Sequence, residues 1–195
     1  LPNIFRAIEL GGTLPIARIA EGTLSNCKQA LDAGAGGIIA PMIMDAEQLE
    51  QIINWCCWPP KGIRGVGYSR ANLYGKHFDT YRNEAQAPHI IAQIEHIKAV
   101  NNLESILSVG GLDATIIGPY DLSASMGLTG DLEHPGVIKA GKKVIEISNK
   151  IGIPSGLHVV APDKEKLKIA TDNGYSFIAY SLDAVFLTDK IDNPY

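Results

Sequence analysis

Residues 36–43 have the sequence GGIIAPMI, a continuous apolar run with the length of one β-strand. A strand that is apolar on both faces is typical of a parallel sheet covered by helices. Asp45 is the predicted N-cap of a helix over residues 46–57, which Pro59 and Pro60 end. This strand and helix predict an α/β fold.

The alternation of strand and helix extends along the chain on both sides of this unit. Strands are predicted at residues 13–19, 36–43, 89–95, 113–121, 153–160 and 175–183. Helices are predicted at residues 4–10, 23–33, 46–57, 78–86, 135–150 and 163–173, and from the end of the third strand through Val109. Strands regularly separated by helices fit either an open doubly wound sheet or a closed barrel.

The glycine pattern separates these two folds. An open dinucleotide-binding sheet carries Gly-x-Gly-x-x-Gly after its first strand, and neither this pattern nor a Walker A sequence occurs in the chain. We therefore expect a TIM (β/α)8 barrel that forms a single domain over residues 1–195. Such a barrel needs eight strands in about 250 residues. Because the chain begins without Met and directly in a helical pattern, we expect strands 1 and 2 to be missing and the chain to be N-terminally incomplete.

The composition excludes several classes of partner. The net charge is −4, and the Lys and Arg residues are scattered, which argues against binding to nucleic acid or to an anionic membrane surface. No apolar run approaches the roughly 20 residues that span a bilayer. The three cysteines form neither a disulfide framework nor a spaced zinc site, which favours a reducing compartment. We expect a cytoplasmic protein that binds a small molecule.

Carboxylates follow two neighbouring predicted strands. Gln93 and Glu95 alternate onto the same side at the end of one strand, and Asp121 follows the next one in the sequence GPYDLS. A hard cation such as Mg²⁺ or Mn²⁺ would relieve the repulsion between Glu95 and Asp121, so the pair predicts a metal site. The alternative is structural: Asp121 would be an N-cap, and Glu95 would form a salt bridge.

Three further features are candidates for the same site. Arg18, at the end of the strand over residues 13–19, is suited to pairing with an anionic oxygen, or it forms a structural ion pair with Glu21 or Glu95. Residues 62–67, GIRGVG, would allow close backbone approach to a ligand or a neighbouring subunit. His158 lies near the end of a strand, where it is either a base or a packed, hydrogen-bonded side chain.

The motifs GGIIAPMI, GIRGVG, AQIEH, IIGPYDLSASMG and HPGV together resemble the HpcH/HpaI-type class II pyruvate aldolases over nearly the whole chain. The resemblance implies a barrel of the phosphoenolpyruvate/pyruvate-binding type. It also implies that Glu95 and Asp121 bind the divalent metal, Mg²⁺ or Mn²⁺ with Co²⁺ as a further option, and that Gln93 lies beside it. Arg18 would contact the keto acid and its enolate, and the backbone amides of Tyr120 and Asp121 would bind the pyruvate carboxylate.

The function implied by this resemblance is the reversible cleavage of a 2-keto-4-hydroxy acid to pyruvate and an aldehyde through a metal-stabilised enolate. The partners would be a small keto acid and other copies of the chain, in a homo-oligomer that is hexameric in the family. The acidic residue and catalytic histidine that the family carries at the end of strand 2 are absent from this sequence. The alternatives are a citramalyl- or malyl-CoA lyase, an oxaloacetate decarboxylase, or a catalytically silent barrel that binds metal and keto acid.

Overall fold

The computed structural model describes residues 1–189 and 191. It has six strands, each within its predicted range: β1 Ile16–Arg18, β2 Gly37–Ala40, β3 His89–Ile94, β4 Ala114–Ile117, β5 Ser155–Val159 and β6 Phe177–Tyr180. The helices are α1 Pro2–Leu10, α2 Leu24–Asp32, α3 Ala46–Cys56, α4 Phe78–Glu84, α5 Ile97–Asn101, α6 Leu103–Leu107, α7 Pro119–Ser125, α8 Pro135–Ile151, α9 Lys164–Asp172 and α10 Asp183–Thr188. A 3-10 segment over Arg70–Gly75 precedes α4.

The strands form one parallel sheet in the order β1-β2-β3-β4-β5-β6. The sheet is curled, but among the described residues β1 and β6 each pair with a single neighbour. The expected (β/α)8 barrel is therefore wrong for this structure, which is an open half-barrel of six strands. The physical reason is the number of strands, because a parallel barrel of that kind closes its circle of hydrogen bonds with eight.

The two faces of the sheet differ in polarity. On β3, Ile90, Ala92 and Ile94 are buried and belong to the main hydrophobic core, where helical side chains such as Leu31 and Ile52 join them. Side chains alternate along a strand, so the residues between these three lie on the opposite, concave face. The core thus occupies the helical side, and the concave face of β3 carries Gln93 next to the apolar Ile91.

The helix boundaries follow the predicted capping signals, with one exception. Asp45 caps α3 by accepting a hydrogen bond from the Gln48 N–H, and Asp163 caps α9 in the same way. The single helix predicted through Val109 is wrong, because the chain breaks at Asn102 into α5 and α6. Asn102 donates its side-chain amide to the Met44 carbonyl at 2.9 Å, which fixes the break against the loop after β2. Within the described part of the chain, no helix is long and apolar enough to span a membrane.

The segment that carries GIRGVG is attached to the fold by Arg64, which is fully buried. Its guanidinium group lies 3.2 Å from the Asp32 carboxylate and donates to the Tyr81 hydroxyl at 3.2 Å. The same group lies 5.6 Å from the centre of the Trp58 ring, a cation–π distance. The arginine of this motif therefore stabilises the fold by joining α2, α4 and the end of α3.

We predict that Arg64→Leu lowers the free energy of unfolding by about 3 kcal/mol, because the change removes the buried cation that pairs with Asp32 and Tyr81. Denaturant unfolding measures this difference. Arg82→Leu is the matched control: Arg82 pairs with Asp79 on the exposed surface of α4, and its loss should cost less than about 1 kcal/mol. Equal effects of the two substitutions would contradict the structural role of Arg64.

Candidate active site

Glu95 follows β3 directly, and its side chain is 1% exposed. Its Oε1 accepts a hydrogen bond from the Met42 backbone N–H at 2.8 Å. Its Oε2 is buried and has no hydrogen-bond partner among the described residues. A buried carboxylate oxygen without a donor is costly, so this atom lies where a cation or a donor would be stabilised.

Asp121 reaches the same end of the sheet from the neighbouring strand. Helix α7 begins immediately after β4 with Gly118 as its N-cap, and Asp121 lies exposed in the first turn. Burial raises the pKa of Glu95 above its usual value, and the charge of the Asp121 carboxylate raises it further. The Met42 N–H and the charge of Arg18 act in the opposite direction. The two carboxylates therefore lie close enough to repel each other.

Both structural alternatives from the sequence are wrong. Asp121 does not cap α7, because Gly118 occupies the N-cap position. None of the ion pairs found among the described residues includes Glu95 or Arg18. Arg18 is exposed and instead donates from Nε to the Gln93 Oε1 at 3.3 Å.

Gly118 makes room for this cluster. A Cβ at this position would lie 2.6 Å from Glu95 Oε2 and 2.9 Å from Gln93 Nε2, both closer than real Cβ atoms approach. The absence of a side chain thus leaves the space beside the unpartnered oxygen open. The same distances place Gln93 and Glu95 on one face of β3, as the alternation predicted.

Sequence reasoning missed the residues that hold Glu95 in place. Met42 has a φ of 52°, in the left-handed region, and this directs its N–H to Glu95. Gln48 fixes the loop, since its amide donates to the Met42 carbonyl at 3.1 Å and accepts from the Met44 N–H at 2.9 Å. The only available signal was Gln48 in the first turn of α3, which is an ordinary helix residue.

The arrangement fits a divalent cation with oxygen ligands. The described residues contain no group of three or more His, Cys, Asp or Glu side chains that could hold a metal. Mg²⁺, however, is commonly bound by one or two carboxylates and keeps waters and substrate oxygens as its other ligands. The carboxylates of Glu95 and Asp121 lie close together, and Glu95 Oε2 is buried without a partner among the described residues. The pair therefore meets this requirement.

The remaining predicted residues lie in different surroundings. Tyr120 is 51% exposed and lies in the first turn of α7. Residues 62–67 belong to the segment before α4 that Arg64 attaches to α2. His158 lies on β5, two strands away from Glu95, and burial lowers its pKa.

The parallel α/β fold agrees with the comparison to known families. The model of the family described as HpcH/HpaI aldolase/citrate lyase matches residues 3–189. The chain belongs to this family, which confirms the family predicted from the motifs.

Among the curated relatives, the hydroxypyruvate/pyruvate aldolase of Roseobacter denitrificans is 35% identical over 184 residues, which are 93% of this chain and 71% of the relative. The 2-keto-3-deoxy-L-rhamnonate aldolase of Escherichia coli K12 is 35% identical over 91% of this chain and 67% of that protein. A solved HpcH/HpaI aldolase/citrate lyase family structure from Burkholderia cenocepacia has a TM-score of 0.89 at 31% identity, covering 96% of this chain and 75% of its own. The predicted function, a carbon–carbon lyase of the class II pyruvate aldolase type, is confirmed at the level of these relatives.

We predict that Gly118→Ala weakens Mn²⁺ binding at least tenfold, because the new Cβ would displace the Glu95 and Gln93 side chains. Isothermal titration with Mn²⁺ measures the affinity. Gly110→Ala is the control, since no atom lies within 4 Å of the Cβ that it would add. Unchanged Mn²⁺ affinity in Gly118→Ala would show that the space beside Glu95 is not the cation site.

Proposed function

We propose that this protein is a metal-dependent aldolase that reversibly cleaves a 2-keto-4-hydroxy acid to pyruvate and an aldehyde. The observation that carries the proposal is Glu95, whose buried Oε2 has no partner while the Asp121 carboxylate lies nearby. A cation held by both carboxylates would relieve the repulsion between them. The aldolase relatives support the same reaction class.

Glu95 and Asp121 would hold the cation, which is Mg²⁺ or Mn²⁺, with Co²⁺ as a further option. When bound, the ion would act as a Lewis acid on the keto group of the substrate. Hard oxygen ligands favour these ions over softer metals.

Three other groups bind the keto acid in this proposal. The backbone N–H groups of Tyr120 and Asp121, in the first turn of α7, would donate hydrogen bonds to the substrate carboxylate. The exposed guanidinium group of Arg18 is permanently charged and would pair with the keto oxygen of the substrate. Gln93 orients Arg18 through its 3.3 Å hydrogen bond and lies beside Glu95 on the concave face.

In the cleavage, a solvent water would take the proton of the C4 hydroxyl group, and C4 would leave as the aldehyde. The electron pair of the broken C3–C4 bond would then form the enolate of pyruvate. The charge that appears on the former keto oxygen is stabilised by Arg18, which needs no reorganisation because Gln93 already holds it. Protonation at C3 then gives pyruvate. No lysine needs to form a Schiff base in this sequence of bonds.

The cellular setting follows from the same proposal. The partner is a small keto acid, and a homo-oligomer, hexameric by family resemblance, is the proposed assembly. The cytoplasm is the proposed location, since the three described cysteines are free thiols of the kind that a reducing compartment maintains.

We predict that EDTA abolishes cleavage of a 2-keto-4-hydroxy acid and that Mn²⁺ restores it in the wild type. Glu95→Gln and Asp121→Asn should each reduce kcat/KM by roughly 10²–10⁴-fold, because each removes one of two charges that hold the cation. A coupled assay that detects pyruvate measures the rate. Glu146→Gln, an exposed change on α8, is the control and should retain full activity.

Two results would contradict this proposal. One is full activity after exhaustive treatment with EDTA. The other is covalent labelling of a lysine when borohydride is added with pyruvate, since that outcome requires a Schiff base. Activity towards CoA thioesters instead of keto acids would favour the alternative lyase.

A further inference from the structure

Two polar side chains outside the Glu95 and Asp121 pair have buried atoms without partners at the same end of the sheet. His158, on β5, is half-buried, and its Nε2 has no hydrogen-bond partner in the described part of the chain. Ser181 follows β6 directly, is 9% exposed, and has an unpartnered Oγ. Nothing in the chemistry described above uses either group, and buried polar atoms normally have partners.

The strand register places His158 on the concave face, beside the site. Ile94 pairs with Ile117, and Ile117 pairs with Leu157. The residues that follow these three are Glu95, Gly118 and His158, in the same order. They form one row across the sheet. Neighbours in a row of a parallel sheet direct their side chains to the same face. His158 is thus two strand spacings, roughly 10 Å, from Glu95, and the curl of the sheet brings their side chains closer together.

Ser181 lies at the adjacent strand end in a strained conformation. His158 pairs with Ala179, and the backbone of Ser181, two residues further on, contacts the His158 side chain. Its N–H donates to the Val159 carbonyl at 2.8 Å, so β5 holds its backbone. Its φ is 62°, a region that glycine adopts freely and that other residues rarely adopt. A strained serine whose hydroxyl is buried and unpartnered is characteristic of a functional position.

The chemical character of the pair suits an uncharged polar group. Burial lowers the pKa of His158, and its contact with the Ser181 backbone acts in the opposite direction. A neutral imidazole carries one donor and one acceptor nitrogen. The Ser181 hydroxyl also donates and accepts. A ligand hydroxyl can exchange hydrogen bonds with both, whereas an alkyl group would leave both unpaired.

We propose that His158 and Ser181 bind a hydroxyl group on the aldehyde half of the substrate, so that the enzyme selects hydroxyaldehydes over alkyl aldehydes of equal size. This inference rests on the proposed function, because Glu95 and Asp121 define where the pyruvate half binds. The β5–β6 end of the concave face then receives the carbon chain beyond C3. The aldehyde is thereby recognised by its α-hydroxyl group.

The test compares two aldehydes with the same number of non-hydrogen atoms, glycolaldehyde and propanal. The rate of their condensation with pyruvate in the presence of Mn²⁺ gives kcat/KM for each. The wild type should prefer glycolaldehyde at least tenfold. Ser181→Gly and His158→Leu should each lose about tenfold of this preference, with propanal changing by less than about threefold. Ser176→Ala, at the exposed opposite end of the same predicted strand, is the control and should keep the preference.

A second readout does not depend on turnover. In protein labelled with ¹⁵N-histidine, the His158 signal is assigned by its loss in His158→Leu among the five histidines of the chain. Glycolaldehyde should shift this signal in the presence of pyruvate and Mg²⁺, which is diamagnetic and leaves the signal observable, and propanal should not. Ser181→Gly should also retain the wild-type Tm or raise it, because glycine relieves the positive φ.

Failure of this inference is distinguishable from failure of the proposed function. Exchange of the pyruvate methyl protons in D₂O requires enolate formation but no aldehyde. If exchange occurs and neither variant alters the ratio of the two aldehydes, or both aldehydes lose rate equally, the recognition by His158 and Ser181 is overturned. If the wild type neither exchanges these protons nor condenses pyruvate with either aldehyde, the aldolase proposal fails and this inference fails with it.

Discussion

The structure of the site depends on one unfavourable arrangement. The Glu95 carboxylate is buried, and its Oε2 has no hydrogen-bond partner among the described residues. A single Met42 N–H offsets part of the desolvation, and the neighbouring Asp121 charge adds to the cost. The fold tolerates this because the apolar face of β3 is well packed against the helices. The stability of the core thus maintains a buried carboxylate that water would otherwise solvate.

The parallel sheet is what makes the groups converge. Each strand ends at the same edge, so residues far apart in sequence, such as Arg18, Glu95 and His158, share the concave face. Each strand contributes a different kind of side chain to this face. The third and fourth strands hold charge, the first supplies a permanent cation, and the last two end in neutral polar groups.

The sequence predicted the six strands, the capping residues and the carboxylate pair because each depends on local pattern: apolar runs, Asp before a helix, and alternation along β3. The predicted closed barrel was wrong for this structure, because closure depends on the number of strands and on tertiary curvature. Arg64 was expected to belong to a ligand-binding or interface loop, yet its partners Asp32 and Tyr81 are distant in sequence. Likewise, the left-handed φ of Met42 and Ser181 has no signature in a sequence without glycine there.

The two hydrogen bonds of the Gln48 side chain connect helix α3 to the loop after β2, which lies beside Glu95. The carboxamide clamps the peptide groups on either side of residue 43, and the Met42 amide that it positions is the donor facing Glu95. A substitution of Gln48, in the first turn of α3, would therefore change the pKa of Glu95 through the Met42 N–H, without altering Glu95 or its neighbours on the concave face. Evolution or design could adjust the acid strength of the site through a residue that a survey of contacts around the ligand would overlook.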